Sequence, residues 1–205
     1  MPFPTTNATQ ELPAVNQILA SVGQAPVTTL DQTNPDVAIA YDTLLTVSRE
    51  VQAEGWSFNT EYKVETKPDS NNEILYASNV LQMDLSEGEG YGHKNSIRKE
   101  GKLYDKVKRT DKWTEDTVKL DIVYKYDWVD LPIPIQDYIV ARAAAIVSSR
   151  IVGDTDQYKM LSQKEMQARA AAMEYECNQG DYTYFGHPRG ENNYISYQPY
   201  KALYR

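Results

Sequence analysis

The hydrophobic period of this chain changes twice, and those two switches limit the available folds more than any other feature. Up to Gly55 apolar residues recur at helical spacing, from Trp56 to Val129 they form short alternating runs, and from Pro132 helical spacing returns. The first helical block runs from about Gln10 to Val22, with Leu12, Val15, Ile18, Leu19 and Val22 on one face. Gly23 supplies a left-handed stop, and Pro26 prevents the helix from resuming. Asn34-Pro35 then signals a new start, because Asn can accept from the orphan backbone donors and Pro fits the first turn. Val37, Tyr41, Leu44, Leu45 and Val51 give this second helix its buried face, and Gly55 closes it.

In the middle block the β-rich runs are Ser57 to Thr66, Glu73 to Leu85, Lys102 to Lys108 and Val118 to Tyr126. Residues 68–72 and the Gly88-Glu89-Gly90-Tyr91-Gly92 stretch interrupt them. In the last run Leu120, Ile122, Tyr124 and Tyr126 alternate with Lys119, Asp121, Val123 and Lys125, which predicts an antiparallel sheet with one solvated face. After Pro132-Ile133-Pro134, an apolar helix is expected to end near Gly153. Asp154 then caps a helix from about Thr155 to Gln179, stopped by Gly180 and roughly 38 Å long at ~1.5 Å per residue. That length exceeds the needs of so small a core. The small residues Ala168, Ala171 and Ala172 on this helix are therefore expected to permit close contact with a neighbouring subunit.

The resulting fold class is α+β. A mainly helical bundle domain (residues 9–55 and 132–180) is built from the N- and C-terminal helices and carries a central antiparallel β-rich insert (56–131), with an extended C-terminal tail over 181–205. The tail breaks all periodicity and holds six of the sixteen tyrosines. Too few aliphatic residues are present there to build a core, yet disordered segments are normally poor in aromatics. Tyr182, Tyr184, Phe185, Tyr194, Tyr197, Tyr200 and Tyr204 are accordingly expected to bind a partner.

Composition narrows the function classes. No apolar run is long enough for a transmembrane helix, and the first twenty residues lack a basic stretch ahead of an apolar one, so neither a membrane span nor a secretory leader is expected. A lone cysteine, Cys177, cannot form an internal disulfide and fits synthesis in a reducing cytosol. His93 and His187 occupy separate glycine-containing turns without ligand-spaced partners, so no metal or other cofactor is implied. The Gly88 to Gly92 stretch lacks the Gly-Lys-Ser/Thr ending of a phosphate loop. Close carboxylates such as Glu174 and Glu176, or Asp127 and Asp130, can be drawn as hydrolase pairs, but 29 acidic residues make such pairs by chance. The chain carries a net charge of −8, against which the stretch holding Lys94, Arg98, Lys99, Lys102, Lys106, Lys108, Arg109 and Lys112 stands out as a polyanion or partner patch.

The residues Ala14 to Gly23 followed by Pro26-Val27, Gly55-Trp56-Ser57-Phe58-Asn59, Leu103-Tyr104-Asp105 leading to Asp111-Lys112-Trp113, and Met173-Glu174-Tyr175-Glu176 ahead of Gly180 form an ordered set. In order and spacing the set resembles the tail tubular protein A family of T7-like short-tailed bacteriophages, over roughly Glu11 to Tyr184. The resemblance implies a non-enzymatic head-to-tail adaptor, or gatekeeper, in the virion tail, made in the host bacterial cytoplasm. It further implies a homo-oligomeric, dodecameric ring that joins the portal protein to the nozzle of tail tubular protein B. Tail fibres would attach around that ring, and double-stranded DNA would pass through it without sequence-specific binding. Two alternatives from other classes are a tail-associated peptidoglycan hydrolase using Glu174 and Glu176, and a DNA-binding module using residues 94–112.

Overall fold

The computed structural model describes residues 8–31, 33–86 and 95–180. Along the chain come α1 (Ala8–Ser21), α2 (Pro35–Gln52), β1 (Thr60–Thr66), β2 (Val80–Leu85), β3 (Ser96–Lys99), β4 (Lys102–Asp105), β5 (Val118–Tyr124), a single 3-10 turn (Trp128–Asp130), α3 (Ile133–Ile151) and α4 (Thr155–Gly180). The mixed α+β class expected from the two changes of period is therefore present. The helix starts and stops follow local chemistry. Asn34 caps α2 by accepting from the Asp36 amide at 3.0 Å, and Asp154 does the same for α4 through the Asp156 amide at 3.1 Å. Gly23 and Gly55, at φ of 77° and 78°, take the left-handed conformation that lets the chain leave α1 and α2.

All four described helices share one hydrophobic cluster, with α3 packed against α1, α2 and α4. Val15, Ile18 and Leu19 from α1, Tyr41 and Leu44 from α2, and Ile135, Tyr138 and Ile139 from α3 are almost completely removed from solvent. A second cluster, including Ile74, Leu103, Trp113, Val118 and Leu120, belongs to the strands. There β5, the last strand in sequence, lies between β1 and β2 in an antiparallel sheet, while β3 and β4 form a separate hairpin.

Several strand expectations are corrected. Residues 73–79 do not continue β2: Leu75 makes only an isolated bridge to Lys102, and the Val80 amide bonds back to Ala77 at 3.1 Å in a turn. The Lys102 to Lys108 run stops at Asp105, whose buried carboxylate accepts the Val107 and Lys108 amides at 2.8 and 3.2 Å and turns the chain. β3 has no counterpart among the sequence expectations, being too short and too polar to show a period. Strict alternation in β5 also fails, because Ile122 and Val123 are both buried. Register shifts in both pairings, between Glu61 and Val64 on β1 and between Val80 and Gln82 on β2, accompany this break. Gly55 lies against Val123, a Cβ there being 3.6 Å from the valine methyl, so the face predicted to be solvated is covered at this point.

A buried amide seam joins the helices to the strands. Gln52 and Asn59 are fully buried. The Gln52 side chain donates to Ser48 Oγ (3.1 Å) and the Tyr126 carbonyl (3.2 Å) and accepts from the Tyr126 amide (2.7 Å). Asn59 donates to the carbonyls of Gln52 and Tyr124, both at 2.8 Å, and accepts from the Trp56 amide at 2.9 Å. The Trp56 indole completes the set by donating to the Val51 carbonyl at 2.7 Å. Such a network contributes because every buried group is satisfied, and deleting one member strands the others. Asn59→Ala should destabilise the chain by about 2–3 kcal/mol, the scale of orphaned buried polar groups, read as a lower urea midpoint. An unchanged midpoint would show that the seam is dispensable.

Candidate functional site

Most of α4 faces solvent. Of its 26 residues only Leu161, Ala172 and Glu176 are buried, so the helix forms an outer layer laid on α3. Ala172 is fully buried, and Ala168 is half-buried against the same cluster, so both of these sequence-selected alanines face the chain's own core. Ala171 faces solvent. On the outer side Met166, Ala170, Met173 and Cys177 follow one another at spacings of four, three and four residues and are all exposed. Exposed Met160 and Tyr158 extend the apolar character toward the start of the helix. Sequence reasoning concentrated on the alanines and missed this methionine stripe, although its helical spacing was legible.

The basic stretch divides into two parts. Lys102 and Lys112 converge on Glu73 at 2.9 and 2.5 Å, and Lys102 also reaches Asp111 at 3.4 Å. Arg98 lies over the Tyr76 ring at 5.1 Å and Lys99 over Tyr104 at 4.6 Å, so these cations are engaged by aromatic faces. Lys106, Lys108 and Arg109 form the other part, an exposed turn that makes no ion pair among the described residues. Lys94, the tail aromatics from Tyr182 to Tyr204, and both histidines lie outside the described residues.

The carboxylates drawn as a hydrolase pair have different environments. Glu176 is buried and receives the Ser57 amide at 2.9 and 3.0 Å and the Ser57 hydroxyl at 2.9 Å. Those bonds fasten the last turn of α4 to the entrance of β1. Glu174 is exposed on α4, while Asp127 and Asp130 are exposed at the 3-10 turn. No group of three or more His, Cys, Asp or Glu side chains suited to a metal ion occurs among the described residues. No described helix is long and apolar enough to cross a membrane.

A helical body is tied to a small antiparallel sheet, and α4 forms its largely exposed outer layer. Its family is defined: the tail tubular protein model matches residues 12–182, and the chain belongs to that family. It is also 26% identical over 156 residues to "Tail tubular protein A" of Klebsiella phage KP34, covering 76% of this chain and 80% of that protein. The protein is thus a structural component of a bacteriophage tail.

Electrostatics in the strand region give a pH-dependent expectation. Hydrogen bonds from Lys112 and then Lys102 hold the Glu73 carboxyl down at about 2, against its ordinary 4.5. Because the folded value is the lower one, the stabilisation is present above the ordinary value and is lost as pH falls from 4.5 toward about 2. The difference in urea midpoint between the unsubstituted chain and Glu73→Gln should therefore shrink across that acid window. It should also be modest and salt-sensitive, since Lys102, Lys112 and Asp111 remain partly exposed around Glu73. A difference independent of pH would remove the ionic account.

Proposed function

We propose that the chain is the head-to-tail adaptor subunit of a short-tailed phage, assembled into a dodecameric ring between the portal protein and the nozzle of tail tubular protein B. The family match across residues 12–182 carries this reading. Its mechanism is geometric. Helical bodies pack side by side through heterologous contacts, one face meeting a different face of the next copy, so that a modest contact gains strength by repetition around a closed ring. The exposed Met166–Ala170–Met173 side of α4 supplies a flexible apolar surface for such a contact, and exposed Ala171 lies on a separate flank of the same helix.

The strand-bearing region, 56–131, would face the nozzle and tail fibres, and the aromatic tail, 181–205, would bind the portal or a neighbouring subunit. Genomic DNA would pass through the ring without sequence-specific grip, helped by the chain's net charge of −8 wherever acidic groups line the channel. This role requires no catalysis by the chain.

Adjacent alanines on α4 test the reading. Ala171→Glu should leave the isolated chain folded, because that position is exposed, yet reduce ring formation on mixing with portal protein. Ala172→Glu should instead unfold the isolated chain, because it places a charge in the bundle core. Circular dichroism and sedimentation separate the two effects. Normal ring formation by Ala171→Glu would remove that flank of α4 from the interface, and normal ring formation by Met173→Glu would remove the methionine side. Deleting residues 181–205 should likewise leave a folded chain with weakened portal attachment, and unchanged tailed-particle assembly would dismiss the tail's proposed role.

A further inference from the structure

The strand region carries two complementary features that the α4 contact does not use. One is a groove of ≈ 470 Å³ between the three-stranded sheet and the β3 strand. Tyr62, Leu81, Met83 and Ile97 give it apolar walls, and Asp84 and Asp121 give it negative charge that Arg98, also in the lining, offsets in part. Tyr62 and Ile97 remain 41% and 38% exposed, so the walls are open to an incoming group. Both carboxylates are oriented by one oxygen: Asp84 Oδ1 accepts from Ser96 Oγ at 2.6 Å and Asp121 Oδ1 from the Lys63 amide at 2.9 Å. Arg98, another lining residue, already lies against Tyr76 in this groove, which shows a guanidinium accommodated in its aromatic and acidic surroundings.

The other feature is the turn at residues 106–109. Val107 is 59% exposed at its centre, between Lys106 on one side and Lys108 and Arg109 on the other. The turn is built rigidly. Asp105 accepts the Val107 and Lys108 amides, the Lys106 amide donates to the Asn95 carbonyl at 2.8 Å, and Thr110 pairs back to Asp105. A preformed turn loses little conformational freedom on docking. The same bonds hold it in the frame of the hairpin, so it is not a free arm.

We propose that the 106–109 turn of one copy docks in the Tyr62, Asp84 and Asp121 groove of a neighbouring copy, with Val107 on the apolar walls and the flanking cations facing the two carboxylates. This inference rests on the ring reading and deepens it by naming a second subunit contact in the strand region. Charge complementarity selects the partner. A bare phosphate surface would use the cations but leave the exposed valine without an apolar counterpart, whereas the groove satisfies both.

Cysteine cross-linking tests the contact in the full chain, with exposed Cys177 replaced by Ser. Val107→Cys protein is mixed with Tyr62→Cys protein, and in parallel with Ile97→Cys protein in case the tyrosine supports the sheet, in the presence of portal protein and under mild oxidation. Disulfides from 107 to 62 or 97 should accumulate at least roughly tenfold faster than 107 to 107 or 62 to 62 controls. Adding Lys106→Glu, Lys108→Glu and Arg109→Glu together should slow them by about tenfold, as expected when rim charges that guide association are reversed. Rings that form without this enrichment would overturn the inference and leave the ring reading intact. If the unsubstituted chain forms no ring with portal protein, the ring reading fails and the inference fails with it. A triple variant that cross-links normally but loses salt-dependent binding to duplex DNA would reassign the turn to phosphate contact.

Discussion

The junction between the helices and the strands rests on two buried carboxamides. Gln52 closes α2 and Asn59 opens the strand region, and between them they bind the backbone at Tyr124 and Tyr126, where β5 returns to the helices. A strand insert attached by two crossing chains could swing about that junction. Here both crossings are tied to the same pair of amides, with Trp56 packed into the helical core beside them. Glu176 adds a third tie, from the end of α4 to Ser57. The helical and strand clusters are therefore held in a defined relation, which a subunit needs if contacts on one part are to fix the position of the other.

The distribution of burial explains why the chain suits assembly. α3 is central and buries nine residues, among them Ala143, Ala144 and Ala145, which allow α1, α2 and α4 to approach closely. α4 is bound to that core by a narrow stripe and otherwise faces outward. Charged and polar residues lie between its exposed methionines, whose flexible side chains can adapt to a neighbouring surface. The low mean hydropathy of −0.61 fits the same division, since much of the chain is surface.

How much of this was legible in the sequence follows from the range of each interaction. Asn34-Pro35, Gly23, Gly55 and Asp154 act on their immediate neighbours, and the helix boundaries they signal agree with the structure to within a few residues. The long-range bonds of the seam and the Glu176 tie join residues 65 to 119 positions apart, and nothing in a local pattern announces such partners. Within Ala170-Ala171-Ala172 the composition is uniform, so helical phase alone decides that Ala172 is core and Ala171 is surface. In β5 the alternation suggested a solvated face at Val123, but bulges in its two partner strands and the approach of Gly55 are tertiary facts. The sequence shows the basic stretch as one patch, whereas folding pairs Lys102 and Lys112 with Glu73 and leaves the cations of the 106–109 turn exposed.

If this tail protein is the proposed ring-forming adaptor, its assembly is completed by the portal. Native mass measurement of the purified chain, alone and mixed with its portal protein, decides this. A closed complex with as many adaptor subunits as the dodecameric ring requires should be stable on the portal and absent or less populated without it. A chain that remains monomeric in both samples, with no mass added to the portal, would contradict it.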